Sequence, residues 1–231
     1  MTVAEQEIAV VFDFDGLLMD TETTLFASWE YEWSQWGLEI DVATFFADHG
    51  GDIAEEKYAA LAAAVGPAYD RALSHARRVA FRDELHADLD LNPGMADWID
   101  QAVADSRVLA VASSSPRGWV MSHLDRVGVL GCFTALACGD EVDAHKPAPD
   151  VYLLALHRLG LSPTAAVAVE DTPHGVAAAQ AAGLRAIAIP NAFVPPFRFH
   201  AADLLLRSAL EMDLEDALAA VRRSEPDAPQ G

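Results

Sequence analysis

Five short apolar runs, distributed over most of the chain, constrain its fold more strongly than any other feature of the sequence. Each run has six or seven residues and is dominated by small and aliphatic side chains, which is typical of strands buried on both faces. A helical pattern precedes or follows each run, which indicates βαβ units and predicts an α/β fold with a doubly wound, mainly parallel sheet. The runs are IAVVFDF (8–14), RVLAVAS (107–113), FTALAC (133–138), AAVAVE (165–170) and RAIAIP (185–190).

The segment between the first and second runs has a different character. Residues 18–90 contain no convincing strand and show helical patterns instead. We therefore expect an all-helical domain inserted into the α/β domain directly after its first strand. The predicted α/β core comprises residues 1–17 and 91–223, the helical insertion comprises 18–90, and the polar tail 224–231 is expected to be disordered.

Two residue pairs in the predicted core are typical of the start of a helix. Asn92 and Pro93 suit the N-cap and first position of a helix, and Ser115 and Pro116 suit the same roles after the second strand. The second helix would direct backbone N–H groups towards an anion bound at the strand end.

Composition and charge exclude several classes of partner. The chain of 231 residues has 15 basic and 36 acidic side chains, a formal charge of −21 that repels nucleic acid. A site that handles phosphate would therefore need a cation. The two cysteines form neither a disulfide framework nor a metal-binding pattern, and no signal peptide or transmembrane segment is recognisable. We expect a cytoplasmic protein that binds neither nucleic acid nor membrane.

Polar residues lie where the predicted strands end. Ligands of open α/β sheets bind at the carboxyl ends of the strands, so these residues are expected to converge on one crevice. Two unit charges 4 Å apart repel by about 4 kcal/mol at an effective dielectric constant of 20, so clustered carboxylates favour a divalent cation, and an all-oxygen ligand set favours Mg²⁺. The residues are Asp13, Asp15, Ser113, Ser114, Ser115, Lys146, Glu170 and Asp171.

Four segments resemble the four motifs of the haloacid dehalogenase superfamily. They occur in the family's order between residues 13 and 183: DFDGLLMDTE, the strand-end serine of VASSSP, the lysine of HKPAPDVY, and VEDTPHGVAAAQAAG. The helical insertion after the first motif is similar to that of the β-phosphoglucomutase-like group of phosphatases. The resemblance implies a Rossmann-like core with a helical cap and a hydrolase that acts on phosphoric monoesters.

The resemblance also implies catalytic roles. Asp13 would be the nucleophile that forms an aspartyl-phosphate, and Asp15 would be the general acid and then the general base. Ser113, together with Ser114 and Lys146, would bind the phosphate, and Lys146 would also stabilise charge on the nucleophile. Because a halide leaving group needs no proton, Asp15 argues for phosphoryl transfer and against dehalogenation.

The same resemblance implies a magnesium site. Asp13, Asp171 and the backbone carbonyl of Asp15 would hold Mg²⁺. Glu170 would either bind the ion directly or support the residues that do.

The implied function is hydrolysis of a small phosphorylated metabolite, such as a sugar or polyol phosphate, by a monomeric enzyme. A phosphoryl-transfer mutase is the alternative, but Leu25 replaces the histidine that mutases of this group carry. The acidic stretch DIAEEKY after Gly51 would also bind a second phosphate poorly. A catalytically inactive metabolite-binding protein is a third interpretation. It is not favoured, because no catalytic group is missing.

Candidates for substrate specificity lie in the predicted cap. They are the loop residues His49, Gly51 and Asp52, and the basic residue Arg77. A helical cap would exclude water and supply specificity contacts.

Overall fold

The computed structural model describes residues 8–45 and 54–223. The chain divides into two compact units, one formed by residues 1–19 with 91–231 and the other by residues 20–90. The predicted tail, 224–231, lies outside the described residues.

The first unit contains a six-stranded sheet in which every strand pairing is parallel. The strand order is β3-β2-β1-β4-β5-β6, so the predicted doubly wound parallel sheet is confirmed. The two-residue strand β6 was not predicted, because so short a run has no readable pattern. The strands are β1 (Ala9–Phe12), β2 (Leu109–Ala112), β3 (Ala135–Ala137), β4 (Ala166–Glu170), β5 (Arg185–Ala188) and β6 (Leu204–Leu205).

Strand β1 lies at the centre of this sheet, between β2 and β4. Its side chains are buried on both faces, as expected for a strand covered by helices on either side. The strand order reverses direction at β1, and such a switch point opens a crevice at the carboxyl ends of the strands. The last residues of the first apolar run, Asp13 and Phe14, leave β1 at this crevice.

Five α-helices complete the first unit within its described residues. Helices α7 and α8 pack on β2 to β5, where alanines such as Ala110 and Ala168 allow close approach. The helices are α5 (Met95–Ala104), α6 (Arg117–Arg126), α7 (Asp150–Leu159), α8 (Pro173–Ala181) and α9 (Leu214–Arg223).

The structure corrects both predicted helix starts. Helix α5 begins at Met95 with Gly94 as its N-cap at φ 86°, and the side chain of Asn92 instead donates hydrogen bonds to the carbonyls of Gly16 and Leu17. Helix α6 begins at Arg117, and Pro116 is its N-cap. Both predicted N-cap residues, Asn92 and Ser115, instead donate hydrogen bonds to residues that are distant in the sequence. A local sequence pattern cannot show such contacts.

The second unit is helical throughout its described residues, as the sequence predicts. Helices α1 and α4 pack against each other, and the buried rings of Trp29 and Tyr58 lie 4.5 Å apart in its core. No helix within 8–45 or 54–223 has the length and apolar character needed to cross a membrane. The helices of this unit are α1 (Thr21–Ser34), α2 (Val42–Phe45), α3 (Ala54–Val65) and α4 (Arg71–Ala87).

Candidate active site

The chain leaves strand β1 through a tight turn that carries two aspartates. The backbone N–H of Asp13 continues the pairing with β4 by donating to the carbonyl of Val169 at 2.9 Å. Three residues later the backbone reverses at Gly16, whose φ of 80° suits glycine. The N–H of Gly16 closes the turn on the carbonyl of Met19 at 2.8 Å. Asp13 is therefore buried at the strand end, and Asp15 lies beside it on the turn.

Lys146 lies between two buried carboxylates. Its ammonium group donates to Asp13 Oδ1 at 2.5 Å, to Glu170 Oε1 at 2.6 Å and to the carbonyl of Ala112 at 2.8 Å, so all three of its N–H bonds are used. Burial alone lowers the pKa of Lys146, but the charges of Asp13 and Glu170 outweigh this effect and raise it above its usual value. Lys146 is thus a permanent cation at the end of β1.

Burial disfavours the charged form of Asp13 despite this neighbour. It raises the pKa of Asp13 to about 8; the positive charge of Lys146 opposes the rise, and the negative charge of Glu170 adds to it. A further cation beside Asp13 would therefore favour its ionised form.

One carboxylate oxygen of Glu170 accepts two hydrogen bonds, and the other lies against Gly175. Its Oε1 atom accepts from Lys146 and, at 2.5 Å, from the hydroxyl of the buried Tyr152. Burial and the charge of Glu170 raise the pKa of Tyr152 well above its usual value, so the phenol remains a donor. The other oxygen, Oε2, is buried and has no hydrogen-bond partner among the described residues. A β-carbon added to Gly175 would lie only 1.8 Å from it. The absence of a side chain at position 175 is what makes room for this carboxylate.

Three carboxylates converge at the ends of β1 and β4. Asp13, Glu170 and Asp171 each offer an oxygen within 4.8 Å of the others, and all three are buried. Asp171 Oδ2 accepts a hydrogen bond from Asn191 Nδ2 at 2.8 Å, which orients it. With all three carboxylates ionised, they and the ammonium group of Lys146 sum to a formal charge of −2. The oxygen donors, the charge and the unpartnered Oε2 fit a divalent cation.

The carboxylate of Asp15 lies outside this group of three. Its Oδ1 atom accepts from the indole Nε1 of Trp119 at 3.0 Å, and its Oδ2 atom accepts from Ser115 Oγ at 2.6 Å and from Ser113 Oγ at 3.4 Å. Asp15 is therefore oriented by the loop after β2 and by helix α6, whereas Asp13 is oriented by Lys146. The two aspartates are close in sequence but have separate surroundings.

The three consecutive serines have different environments. Ser113 is fully buried, and its Oγ accepts from the backbone N–H of Ser115 at 3.0 Å. Ser114 is exposed, and its backbone carbonyl packs tightly against Gly139. Ser115 is half-buried and directs its hydroxyl to Asp15.

Known proteins are similar to this chain in sequence and in fold. A family described as haloacid dehalogenase-like hydrolase matches residues 10–189. The chain belongs to the haloacid dehalogenase-like hydrolase family. Fructose-1-phosphate phosphatase YqaB of Escherichia coli is 30% identical to it over 183 residues, which cover 79% of this chain and 96% of that protein.

Solved structures of known proteins have a fold similar to that of this chain. The structure of CbbY from Rhodobacter sphaeroides in complex with phosphate is 30% identical, has a TM-score of 0.72 and covers 94% of this chain and 99% of that one. A β-phosphoglucomutase from Clostridium difficile shares the fold with a TM-score of 0.72 at 16% identity, covering 94% of this chain and 98% of that one. The predicted membership in the β-phosphoglucomutase-like group is confirmed by a structure described as a putative beta-phosphoglucomutase from Thermotoga maritima, which is 26% identical with a TM-score of 0.77 and covers 94% of this chain and 99% of that one. The predicted enzyme class, a phosphatase of this superfamily, is confirmed by the family and by phosphatase relatives such as YqaB.

The residues proposed for specificity lie in the second unit of this hydrolase. Arg77 donates to the buried carboxylate of Glu32 through Nε at 3.1 Å and Nη2 at 2.6 Å, and these hydrogen bonds raise its pKa. Two of its five N–H donors therefore serve the helical unit itself. His49, Gly51 and Asp52 lie outside the described residues.

Four residues around the haloacid dehalogenase motifs were not recognised as parts of the site from the sequence. Tyr152 and Gly175 lie inside the quoted motifs, so their positions were a usable signal. Trp119 and Asn191 reach the site from a helix and a loop, and nothing local in the sequence marks them.

Proposed function

We propose that this hydrolase is a Mg²⁺-dependent phosphatase that acts on small phosphorylated metabolites, such as sugar or polyol phosphates, through an aspartyl-phosphate on Asp13. One observation carries the proposal: the buried Asp13 lies against Lys146 and two further carboxylates, while Asp15 is held separately by other donors. This division provides one carboxylate for attack and another for proton transfer.

Asp13, Glu170 and Asp171 would hold the magnesium ion. Mg²⁺ supplies positive charge that offsets both the clustered carboxylates and the phosphoryl oxygens. The formal charge of −2 in the carboxylate and lysine group supports a divalent ion. Asp15 would contribute its backbone carbonyl, since its side chain points towards Ser115 and Trp119.

The first displacement forms a bond between an Asp13 oxygen and phosphorus and breaks the bond to the alcohol oxygen of the substrate. Asp15 gives its proton to that oxygen, so the leaving group departs as a neutral alcohol. Lys146, at 2.5 Å from Asp13, balances charge at the nucleophile. Ser113 and Ser114 would bind the phosphoryl oxygens.

The second displacement regenerates the enzyme. Asp15 takes a proton from water, the water oxygen attacks phosphorus, and the bond to Asp13 breaks. The hydrogen bonds from Ser115 and Trp119 orient the Asp15 carboxylate for both transfers. The products are inorganic phosphate and free Asp13.

Similarity to a fructose-1-phosphate phosphatase supports the substrate class. The likeness to the Clostridium difficile β-phosphoglucomutase, at 16% identity, concerns the fold alone. Rapid interconversion of hexose 1- and 6-phosphates with little phosphate release would establish a mutase instead. The cytoplasmic location and the monomeric state stay predictions.

The test is hydrolysis of p-nitrophenyl phosphate, followed by a panel of metabolite phosphates, with Mg²⁺ present or chelated. We expect activity that requires Mg²⁺ and is abolished in Asp13→Asn. Asp100→Asn makes the same chemical change at an exposed position of α5 and should leave the rate unchanged. A wild-type protein that is inert towards every phosphoester in the presence of Mg²⁺ contradicts the proposal.

A further inference from the structure

Asn92 binds the turn that follows strand β1 and carries Asp15. Its side-chain amide donates to the carbonyl of Gly16 at 2.9 Å and to that of Leu17 at 2.8 Å. Its backbone N–H donates to the carbonyl of Leu18, also at 2.8 Å. One residue from a distant part of the chain therefore binds three consecutive carbonyls of this turn.

The carbonyls that the Asn92 amide binds lie in a buried part of the chain. Gly16 is buried, and Leu17 is only 1% exposed. Water does not readily replace a lost donor at such a position, and a buried carbonyl without a partner is costly. Loss of the Asn92 amide should therefore displace the turn.

Two hydrogen bonds orient the peptide groups on either side of Gly16. The N–H of Gly16 donates to the carbonyl of Met19 at 2.8 Å, which orients the peptide group between Asp15 and Gly16. The following peptide group is bound through the Gly16 carbonyl by Asn92. Because glycine rotates about its backbone bonds more freely than other residues, the direction of the chain at Gly16 depends on both bonds.

The carboxylate of Asp15 depends on this backbone position. It accepts from Ser115 Oγ at 2.6 Å and from Trp119 Nε1 at 3.0 Å. These donors belong to the loop after β2 and to helix α6, so they do not follow the turn when it moves. A shift of the backbone at Asp15 would therefore lengthen these bonds or rotate the carboxylate.

We propose that Asn92 is a positioning residue that holds Asp15 for proton transfer. The proposal rests on the role of Asp15 in the function proposed above. In that role, Asp13 attacks phosphorus, the bond from phosphorus to the ester oxygen breaks, and this oxygen takes the proton of Asp15. Asn92 acts through the backbone of the turn and takes no part in bond making itself.

The test compares two substrates that differ in their need for a proton. p-Nitrophenolate is a stable anion and leaves without one, whereas the alkoxide of benzyl phosphate is strongly basic and needs one. General-acid catalysis is typically worth about 10²–10⁴-fold, so Asn92→Ala should lower kcat/KM for benzyl phosphate at least about tenfold more than for p-nitrophenyl phosphate. A purely structural loss of active protein would lower both values by the same factor.

Three further variants test the cause of such a selective loss. Asn92→Asp keeps the size of the side chain but replaces the donor by a carboxylate, so it should show the same loss. Asp15→Asn removes the proton donor itself and should show the largest. Gln101→Ala removes another half-buried amide, which bonds Leu214 and Asp213, and the ratio of the two kcat/KM values should stay as in wild type.

Hydrogen exchange tests the contact without any substrate. The N–H groups of Gly16 and Leu18 are both hydrogen-bonded within the turn. With Mg²⁺ chelated, both should exchange at least about tenfold faster in Asn92→Ala than in wild type, and at the wild-type rate in Gln101→Ala.

The outcomes separate this proposal from the proposed function. If Asp15→Asn shows the selective loss and Asn92→Ala does not, the positioning role is overturned. Turn amides that exchange at the wild-type rate in Asn92→Ala overturn it as well, whatever the kinetics show. A wild-type protein that hydrolyses neither ester contradicts the proposed function, while hydrogen exchange still decides whether Asn92 holds the turn.

Discussion

Replacing Gly175 by alanine tests how tightly the fold is built around Glu170. The added β-carbon would lie 1.8 Å from Glu170 Oε2 and 2.0 Å from Cδ, whereas contacts below 3.0 Å are essentially never seen. The carboxylate or helix α8 must therefore move by more than 1 Å. Glu170 is fully buried and anchored by Lys146 and Tyr152, so it cannot swing into solvent.

The anchoring bonds determine the cost. A hydrogen bond to a charged group contributes about 1.5–3 kcal/mol, and displacing the carboxylate weakens one or both of its two bonds. We therefore expect Gly175→Ala to lower the free energy of unfolding by about 2–5 kcal/mol. The same displacement moves Lys146 relative to Asp13, so we expect kcat to fall by at least about a hundredfold.

Urea denaturation gives the free energy of unfolding, and steady-state hydrolysis of p-nitrophenyl phosphate gives kcat. Gly118→Ala is the matched control, because its β-carbon meets no atom within 4 Å on helix α6. Its free energy of unfolding should rise or stay within about 1 kcal/mol of wild type.

A second substitution separates this clash from a general effect of the alanine. Glu170→Asp shortens the side chain by one methylene, so it should cost less in the Gly175→Ala background than in wild type. A Gly175→Ala protein as stable and active as wild type would refute the packing argument. Strictly additive costs in the double variant would show that Glu170 is not the group displaced.

Three further predictions concern neighbouring groups. Trp119→Phe removes the indole donor to Asp15 but keeps an aromatic ring, so kcat should fall about tenfold with KM unchanged; an unchanged kcat would contradict a positioning role. Asn191→Ala removes the donor that orients Asp171, and the Mg²⁺ concentration for half-maximal activity should rise about 10–100-fold in a rate titration. Because burial raises the pKa of Asp13 to about 8, Mg²⁺ binding at pH 7 should release a proton, measured by calorimetry in buffers of different ionisation enthalpy. That release should fade at higher pH, where the carboxyl is already ionised, and constant release would count against Asp13 as a ligand.

The amino-acid sequence by itself determined the parallel sheet and the helical insertion, because apolar periodicity and chain order are local properties. It also indicated that polar residues at separate strand ends would meet. The carboxyl ends of parallel strands lie at one edge of a sheet, so Asp13, Lys146 and Glu170 come together in any fold of this topology. Helix N-cap residues were harder to predict from the sequence. The predicted N-caps, Asn92 and Ser115, precede the observed ones.

Only the tertiary structure decided how these groups are oriented. The sequence treats Asp13 and Asp15 as a pair, yet Lys146 orients the first, and Ser115 and Trp119 orient the second. Such partners are distant in the sequence, and their contacts depend on how a helix or loop lies over the strand ends. Gly175 lies inside a quoted motif, but only the three-dimensional packing shows that its missing β-carbon makes room for the carboxylate of Glu170.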